Sequence, residues 1–150
     1  MISASNVYLV GPMGVGKTTV GRALAKSLGM DFIDSDARIE ERTGVSISTI
    51  FDIEGEGGFR EREAQMIFEL VQQKNIVLAT GGGAVTREDV RKAMRHNGLV
   101  IYLHATVDML VERTRSSKNR PLLNTSKEPR EVLESLMQER EPLYRAEADI

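Results

Sequence analysis

Residues Gly11 to Thr18 read Gly-Pro-Met-Gly-Val-Gly-Lys-Thr and fit the pattern G-x-x-x-x-G-K-[ST] at every fixed position. Glycines at these positions let successive backbone N–H groups turn toward a polyphosphate, and a following helix adds its positive N-terminal end. The lysine, Lys17, is placed to reach the β- and γ-phosphates, and the Thr18 hydroxyl to ligate Mg²⁺. Gly14, Val15, Gly16, Lys17, Thr18 and Thr19 are therefore the candidate ATP contacts. The flanks agree with this chemistry. Asn6–Val10 is a short apolar run suited to a buried strand, and Thr18–Leu28 has helical periodicity.

Asp34-Ser-Asp36 places two carboxylates two residues apart after a second short apolar run. Near a Mg–nucleotide, one can serve the metal and the other can accept a proton from an attacking hydroxyl. Helix capping accounts for one aspartate but not both. Arg60 stands in the first turn of a helix after Gly57-Gly58-Phe59, where a cation opposes the helix dipole. Either an ion pair with Glu61 or Glu63 or an anionic ligand offsets that cost. Three successive glycines, Gly81-Gly82-Gly83, allow a ligand to touch bare backbone, or form a tight strand-to-helix crossover. Thr80 occupies the strand end where many phosphate-loop enzymes carry a metal-binding aspartate, which favours Asp34 as the metal carboxylate. Arg140 shares a helix face with Leu133, Leu136 and Met137, so it covers a core edge or is aimed into a pocket. Arg113, Arg115, Lys118 and Arg120 crowd a polar segment, which reads as a solvated loop or as a lid whose arginine stabilises a transferring phosphoryl group. His96 suits a helix C-terminus and His104 a structural role.

The elements that must position these groups alternate along the chain. Strands are expected at Val7–Val10, Met30–Asp34, Ile76–Thr80 and Leu99–Leu103. The first helix should turn Val20, Leu24 and Leu28 toward the sheet and stop at Gly29. Ser35 or Asp36 should cap a helix over Ala37–Arg42. A short helical piece over Ile47–Ile53 should break at Glu54-Gly-Glu-Gly-Gly58 before a helix over Phe59–Lys74 with Met66, Ile67, Leu70 and Val71 on one face. Thr86, with Asp89 in a capping box, should start a helix over Arg87–His96, and Thr106 one over Val107–Thr114. Pro129 suits the first turn of a last helix running to about Arg140. Uniformly apolar strands alternating with helices predict a parallel sheet covered on both faces, a three-layer α/β/α domain that binds ligands beyond the carboxyl ends of its strands.

Bulk properties narrow the function. With 150 residues the chain makes one domain, and its net charge of −2 with mixed signs gives no bulk attraction to nucleic acid or membrane. The absence of cysteine excludes disulfide and thiolate chemistry, and two histidines make a histidine-built metal site a poor fit. No run approaches the ~20 apolar residues of a membrane span, and no secretion signal is visible, so a cytoplasmic monomer is expected.

Taken together, the chain resembles the shikimate kinases. The resemblance rests on Gly11–Thr19, Phe32-Ile-Asp-Ser-Asp36, Ile50-Phe51 with Gly57-Gly-Phe-Arg60, Ala79-Thr-Gly-Gly-Gly83, Arg120-Pro-Leu122 and Arg140-Glu-Pro-Leu-Tyr144, in family order across nearly the whole chain. It implies a P-loop, nucleoside-monophosphate-kinase-like fold and ATP-dependent phosphorylation of the 3-hydroxyl of shikimate, in the pathway to chorismate and aromatic amino acids. It further implies that Asp36 meets the shikimate hydroxyls and is the catalytic base. Arg60 and Arg140 grip the carboxylate while Gly82 and Gly83 supply backbone contact. Thr18 and Asp34 serve Mg²⁺, and Lys17 and the lid residue Arg120 neutralise phosphate charge. A substrate-binding insertion over about 34–62 and a lid over about 113–127 follow from the same resemblance. The family has five parallel strands, and since this chain stops at Ile150, where the fifth would begin, a C-terminally truncated domain is expected. Rival expectations are a kinase for another hydroxy acid such as gluconate, and a catalytically silent ligand-binding module.

Overall fold

A computed structural model describes residues 6–114 and 128–150. Four strands, β1 (Val7–Val10), β2 (Asp31–Asp34), β3 (Ile76–Ala79) and β4 (Leu99–Tyr102), form one parallel sheet in the order β2-β3-β1-β4. β1 and β3 lie at the centre and are buried at every position, which is why neither shows polar alternation. The helices are α1 (Lys17–Leu28), α2 (Ser35–Thr43), α3 (Ile47–Leu70), α4 (Glu88–Asn97), α5 (Val107–Thr114) and α6 (Pro129–Glu147), with a 3₁₀ turn at Ala84–Thr86.

The period of two along the strands divides the core. Tyr8, Val10, Ile33, Leu78 and Val100 face one side, where α3, α4 and α6 deliver Ile67, Leu70, Met94 and Tyr144. Val7, Leu9 and Val77 face the other, against Ala25 and Leu24 of α1. This is the expected three-layer arrangement. Register then assembles the site. Asp34 lies beside Ala79, and Val10 beside Tyr102, so the segments after β1, β2 and β3 all emerge at one edge. Beyond β4, the Ile150 N–H donates to Val100 O and the Tyr102 N–H to Ile150 O, which pairs Ile150 in parallel with that strand.

Several local expectations are corrected. The buried face of α1 is Gly21 and Ala25, with Leu24 half-buried, while Val20 and Leu28 are 42% and 52% exposed. Small residues win because the Phe32 ring lies against the Gly21 backbone, where a Cβ would overlap it. The cap of α2 is Asp34, not Ser35 or Asp36: its Oδ1 accepts the Ala37 N–H at 3.0 Å. The expected break in the glycine-rich stretch falls at Gly55, the one residue there that leaves helical geometry (φ 73°, ψ −179°), so α3 is two helical segments across a kink, the second taking in Gly57 and Gly58 before Phe59. Two ion-paired hydrogen bonds from Arg62 back to Glu54, each 2.8 Å, bridge the kink. At α4 the capping box is absent, because Asp89 pairs with Arg87 and the Thr86 hydroxyl donates to Gly83 O. Thr106 does cap α5, accepting the Met109 N–H at 3.2 Å. Finally, α6 runs past Pro142 to Glu147. An interior proline costs ~3 kcal/mol, and burial of Tyr144 beyond it offsets that cost.

Candidate active site

The three segments at the carboxyl edge of the sheet line a cleft of about 590 Å³. On its nucleotide side the glycine loop connects β1 to α1, with Gly16 as the N-cap, so the helix N-terminus faces the cleft. The Lys17 ammonium donates to Gly11 O at 2.5 Å and Pro12 O at 2.9 Å, which folds its long stem back over the loop. Thr18 Oγ1 donates to Asp34 Oδ2 at 2.9 Å. Asp34 thus does two things with two oxygens, capping α2 with one and meeting the phosphate-loop hydroxyl with the other. Arg113, from the end of α5, donates to Val15 O at 2.7 Å and closes the loop from above.

The other half of the cleft concentrates charge away from water. Glu63 is 2% exposed, and its Oε1 accepts from Arg60 Nη1 at 2.9 Å. Arg60 also pairs with Glu56 at 3.4 Å and lies near the Phe59 ring. Arg140 is 4% exposed and lines the cleft, so it is aimed into a pocket rather than over a core edge. Asp36 is half-buried as a residue, but its Oδ1 is shielded and lacks a hydrogen-bond partner, as does Glu63 Oε2. Desolvation, then repulsion from Glu63 and Asp34, pushes the Asp36 carboxyl up to about 7, against the opposing pull of Lys17 and Arg60. Burial also raises Glu63, with Arg60, Arg140 and Lys17 opposing. A carboxyl poised near neutrality on the wall of a polar cleft is suited to take a proton from a bound hydroxyl.

The triple glycine has a specific cause. A Cβ on Gly81 would overlap Glu63 Oε2 and approach Asp36 Oδ1 at 3.0 Å. On Gly83 it would overlap the Arg60 guanidinium. The two carboxylates and the arginine are packed directly onto bare backbone. Gly83→Ala should therefore displace Arg60 and weaken binding of a carboxylate ligand about tenfold, for the loss of one charged hydrogen bond. Isothermal titration with shikimate, alongside Mg-ATP as the control ligand, measures this; equal binding by the variant and the parent chain would contradict it.

Of the residues singled out from sequence, Gly14, Gly16, Lys17, Thr18, Thr19, Asp34, Asp36, Arg60, Gly82, Gly83 and Arg140 all line this cleft. Val15 does not: its side chain is buried with Ala105, Leu110 and Leu133, and only its carbonyl takes part, through Arg113. His104 is exposed and packs edge-on against Tyr102. Arg120 and most of the expected lid lie outside the described residues. Sequence reasoning named Glu63 only as one of two possible ion-pair partners of Arg60 and missed that it is buried in the cleft wall. The signal was there, because Glu63 interrupts the apolar face Phe59, Met66, Ile67, Leu70, and a charge on such a face needs a buried partner. It also missed Tyr144, whose hydroxyl donates to Gly82 O. Among the described residues, no helix is long and apolar enough to cross a membrane.

Known proteins match nearly the whole chain. The family model for shikimate kinase matches residues 13–150. A shikimate kinase of Chromobacterium violaceum is 60% identical over 147 residues, covering 98% of this chain and 79% of the relative. One from Haemophilus influenzae is 56% identical over 150 residues, covering 100% of this chain and 83% of the relative. Among solved structures, a shikimate kinase from Acinetobacter baumannii in complex with shikimate superimposes with a TM-score of 0.95 at 50% identity, covering 98% of this chain and 82% of that one. A gluconokinase from Sinorhizobium meliloti, at 17% identity and a TM-score of 0.57, shares the fold alone. The phosphate loop, the paired arginines and the buried carboxylates all fall within the matched span, and the chain belongs to the shikimate kinase family.

Proposed function

We propose that this chain transfers the γ-phosphoryl group of ATP to the 3-hydroxyl of shikimate, giving shikimate 3-phosphate on the route to chorismate and the aromatic amino acids. One observation carries this reading. A single cleft joins an intact phosphate loop to two arginines, Arg60 and Arg140, and a carboxyl, Asp36, raised to about 7. A ligand with one carboxylate and several hydroxyls uses all three groups. Arg60 and Arg140 clamp the carboxylate, and the backbone of Gly82 and Gly83 completes that end. Held there, the ring presents one hydroxyl to Asp36 and to the γ-phosphate together. The Asp36 carboxylate accepts the hydroxyl proton as the new O–P bond forms and the bond to the β–γ bridging oxygen breaks, leaving ADP.

Gly14, Val15, Gly16 and Thr19 hold the triphosphate through the loop and the helix end, and Lys17 swings from Gly11 O and Pro12 O to its charge. Arg120 supplies further positive charge from the lid at about 113–127, while about 34–62 is the shikimate-binding segment. For Mg²⁺, Thr18 Oγ1 and Asp34 Oδ2 are hard oxygen donors 2.9 Å apart that both line the cleft. No cluster of three or more ligating side chains occurs among the described residues, which fits an ion that keeps water and takes substrate phosphates as ligands. When bound, the ion neutralises phosphate charge. A cytoplasmic monomer without a nucleic-acid or membrane partner completes the reading, in line with the mixed surface charge.

The test is ADP release from Mg-ATP with shikimate, gluconate or AMP as acceptor. Stimulation by shikimate alone is the expected result. Equal stimulation by gluconate overturns the substrate assignment, and no stimulation by any acceptor makes the chain a binding module.

A further inference from the structure

The roles above leave out a buried polar side chain that sits beside Gly82 and Arg140. Tyr144 is 1% exposed on α6, and its hydroxyl donates to Gly82 O at 2.5 Å. The Arg140 guanidinium, one helical turn earlier, acts electrostatically on the same phenol. Arg140 is 4% exposed and has no hydrogen-bond partner at Nε. The ring is itself held from behind by stacking on Tyr102 at a centroid separation of 5.2 Å. Tyr102 is tethered in turn by its hydroxyl to Glu141, which Arg145 also holds. A two-ring stack therefore runs from the exposed side of α6 to the backbone of the glycine triplet.

We infer that Tyr144 is a positioning residue for shikimate binding, one hydroxyl setting both the Gly82 peptide and the Arg140 guanidinium at the carboxylate end of the substrate. A phenol does this without adding charge. Burial pushes Tyr144 up to about 12, so it remains a hydrogen-bond donor to Gly82 O at any working pH, and its lone pairs stay available to Arg140. A second carboxylate in this place would bind Arg140 too tightly and repel the substrate. An apolar ring would leave the Gly82 carbonyl without its partner. The inference rests on the reading that Arg140 and Gly82 face the shikimate carboxylate.

Tyr144→Phe keeps the ring, the stack and the packing and deletes only the hydroxyl. The expected result is a rise in KM for shikimate of about tenfold, the effect of loosening a charged hydrogen bond. The change in kcat should stay below about threefold, and KM for Mg-ATP should not move. A residue with only a structural role lowers the melting temperature and moves neither KM, or moves both alike, and either outcome overturns the inference. Tyr102→Phe removes the distal hydroxyl and keeps the stack, so it should leave the shikimate KM unchanged. Arg140→Lys, run in parallel, separates the two levels. If Arg140→Lys leaves the shikimate KM unchanged, the carboxylate site itself is misassigned. If Arg140→Lys raises it while Tyr144→Phe does not, the site stands and the role of Tyr144 falls.

Discussion

Replacing Asp36 by asparagine should lower kcat by about 10²–10⁴, the range that a positioned general base contributes, while making the protein more stable at pH 8. The two effects share one origin. Burial, Glu63 and Asp34 hold the Asp36 carboxyl up to about 7, well above its ordinary 3.8. In the folded chain it therefore keeps its proton between about pH 4 and 7, where the unfolded chain has lost it. The folded state binds more protons over that window, so this group's contribution to stability declines as pH rises through it. Asparagine cannot ionise and removes the decline. Its melting temperature should exceed that of the parent at pH 8 and match it near pH 4. In the parent, kcat/KM for shikimate should fall about tenfold per pH unit below about 7, as the base is protonated. Steady-state kinetics and thermal melts across pH 4–8 measure both limbs. A variant that loses activity but is less stable than the parent at pH 8 would mean that Asp36 is held by hydrogen bonds rather than strained by burial.

Arg60→Ala carries the second large effect, because Arg60 holds the buried Glu63 and, in the proposed function, also the substrate carboxylate. Its guanidinium is the 2.9 Å partner of Glu63, which is 2% exposed. Removing one member of a buried pair leaves the other uncompensated, at a cost of about 3 kcal/mol. For a chain of this size that lowers the melting temperature by roughly 6–12 °C. The shikimate KM should rise about 100-fold with the loss of a bidentate carboxylate contact. Arg60 also holds the Asp36 carboxyl down. Its loss should move the acid limb of kcat/KM to higher pH, a signature that simple misfolding does not produce. Arg60→Lys should recover part of the stability and little of the shikimate affinity, since a lysine ammonium restores charge but not the planar fork.

How far the site was legible in the sequence varies with how local its causes are. The glycine loop, Lys17 and Thr18 were readable because their chemistry depends on backbone turns within a few residues. Asp34 and Asp36 were readable as a pair, but which of them caps α2 and which is desolvated was not. Asp34 caps α2 because β2 delivers it there, and Asp36 is desolvated because α3 brings Glu63 beside it. Glu63 pairs locally with Arg60, but its contact with Gly81, like that of Tyr144 with Gly82, joins residues about twenty and sixty positions apart, and no local pattern announces such partners. The face of α1 was misjudged for a related reason. Val20, Leu24 and Leu28 have the right spacing, yet close packing against Phe32 selected the small side chains. The break in α3 was legible in its glycines, although it is confined to Gly55 rather than spread over residues 54–58.

The central claim is that this cleft phosphorylates one hydroxyl of shikimate. The most direct measurement is the product itself, by ³¹P and ¹H NMR after incubation of the chain with Mg-ATP and shikimate. A single phosphomonoester, with its phosphorus coupled to the proton on C3 and formed in equal amount to ADP, is the predicted result. A phosphate on another hydroxyl, or ADP without a phosphoester, would contradict it.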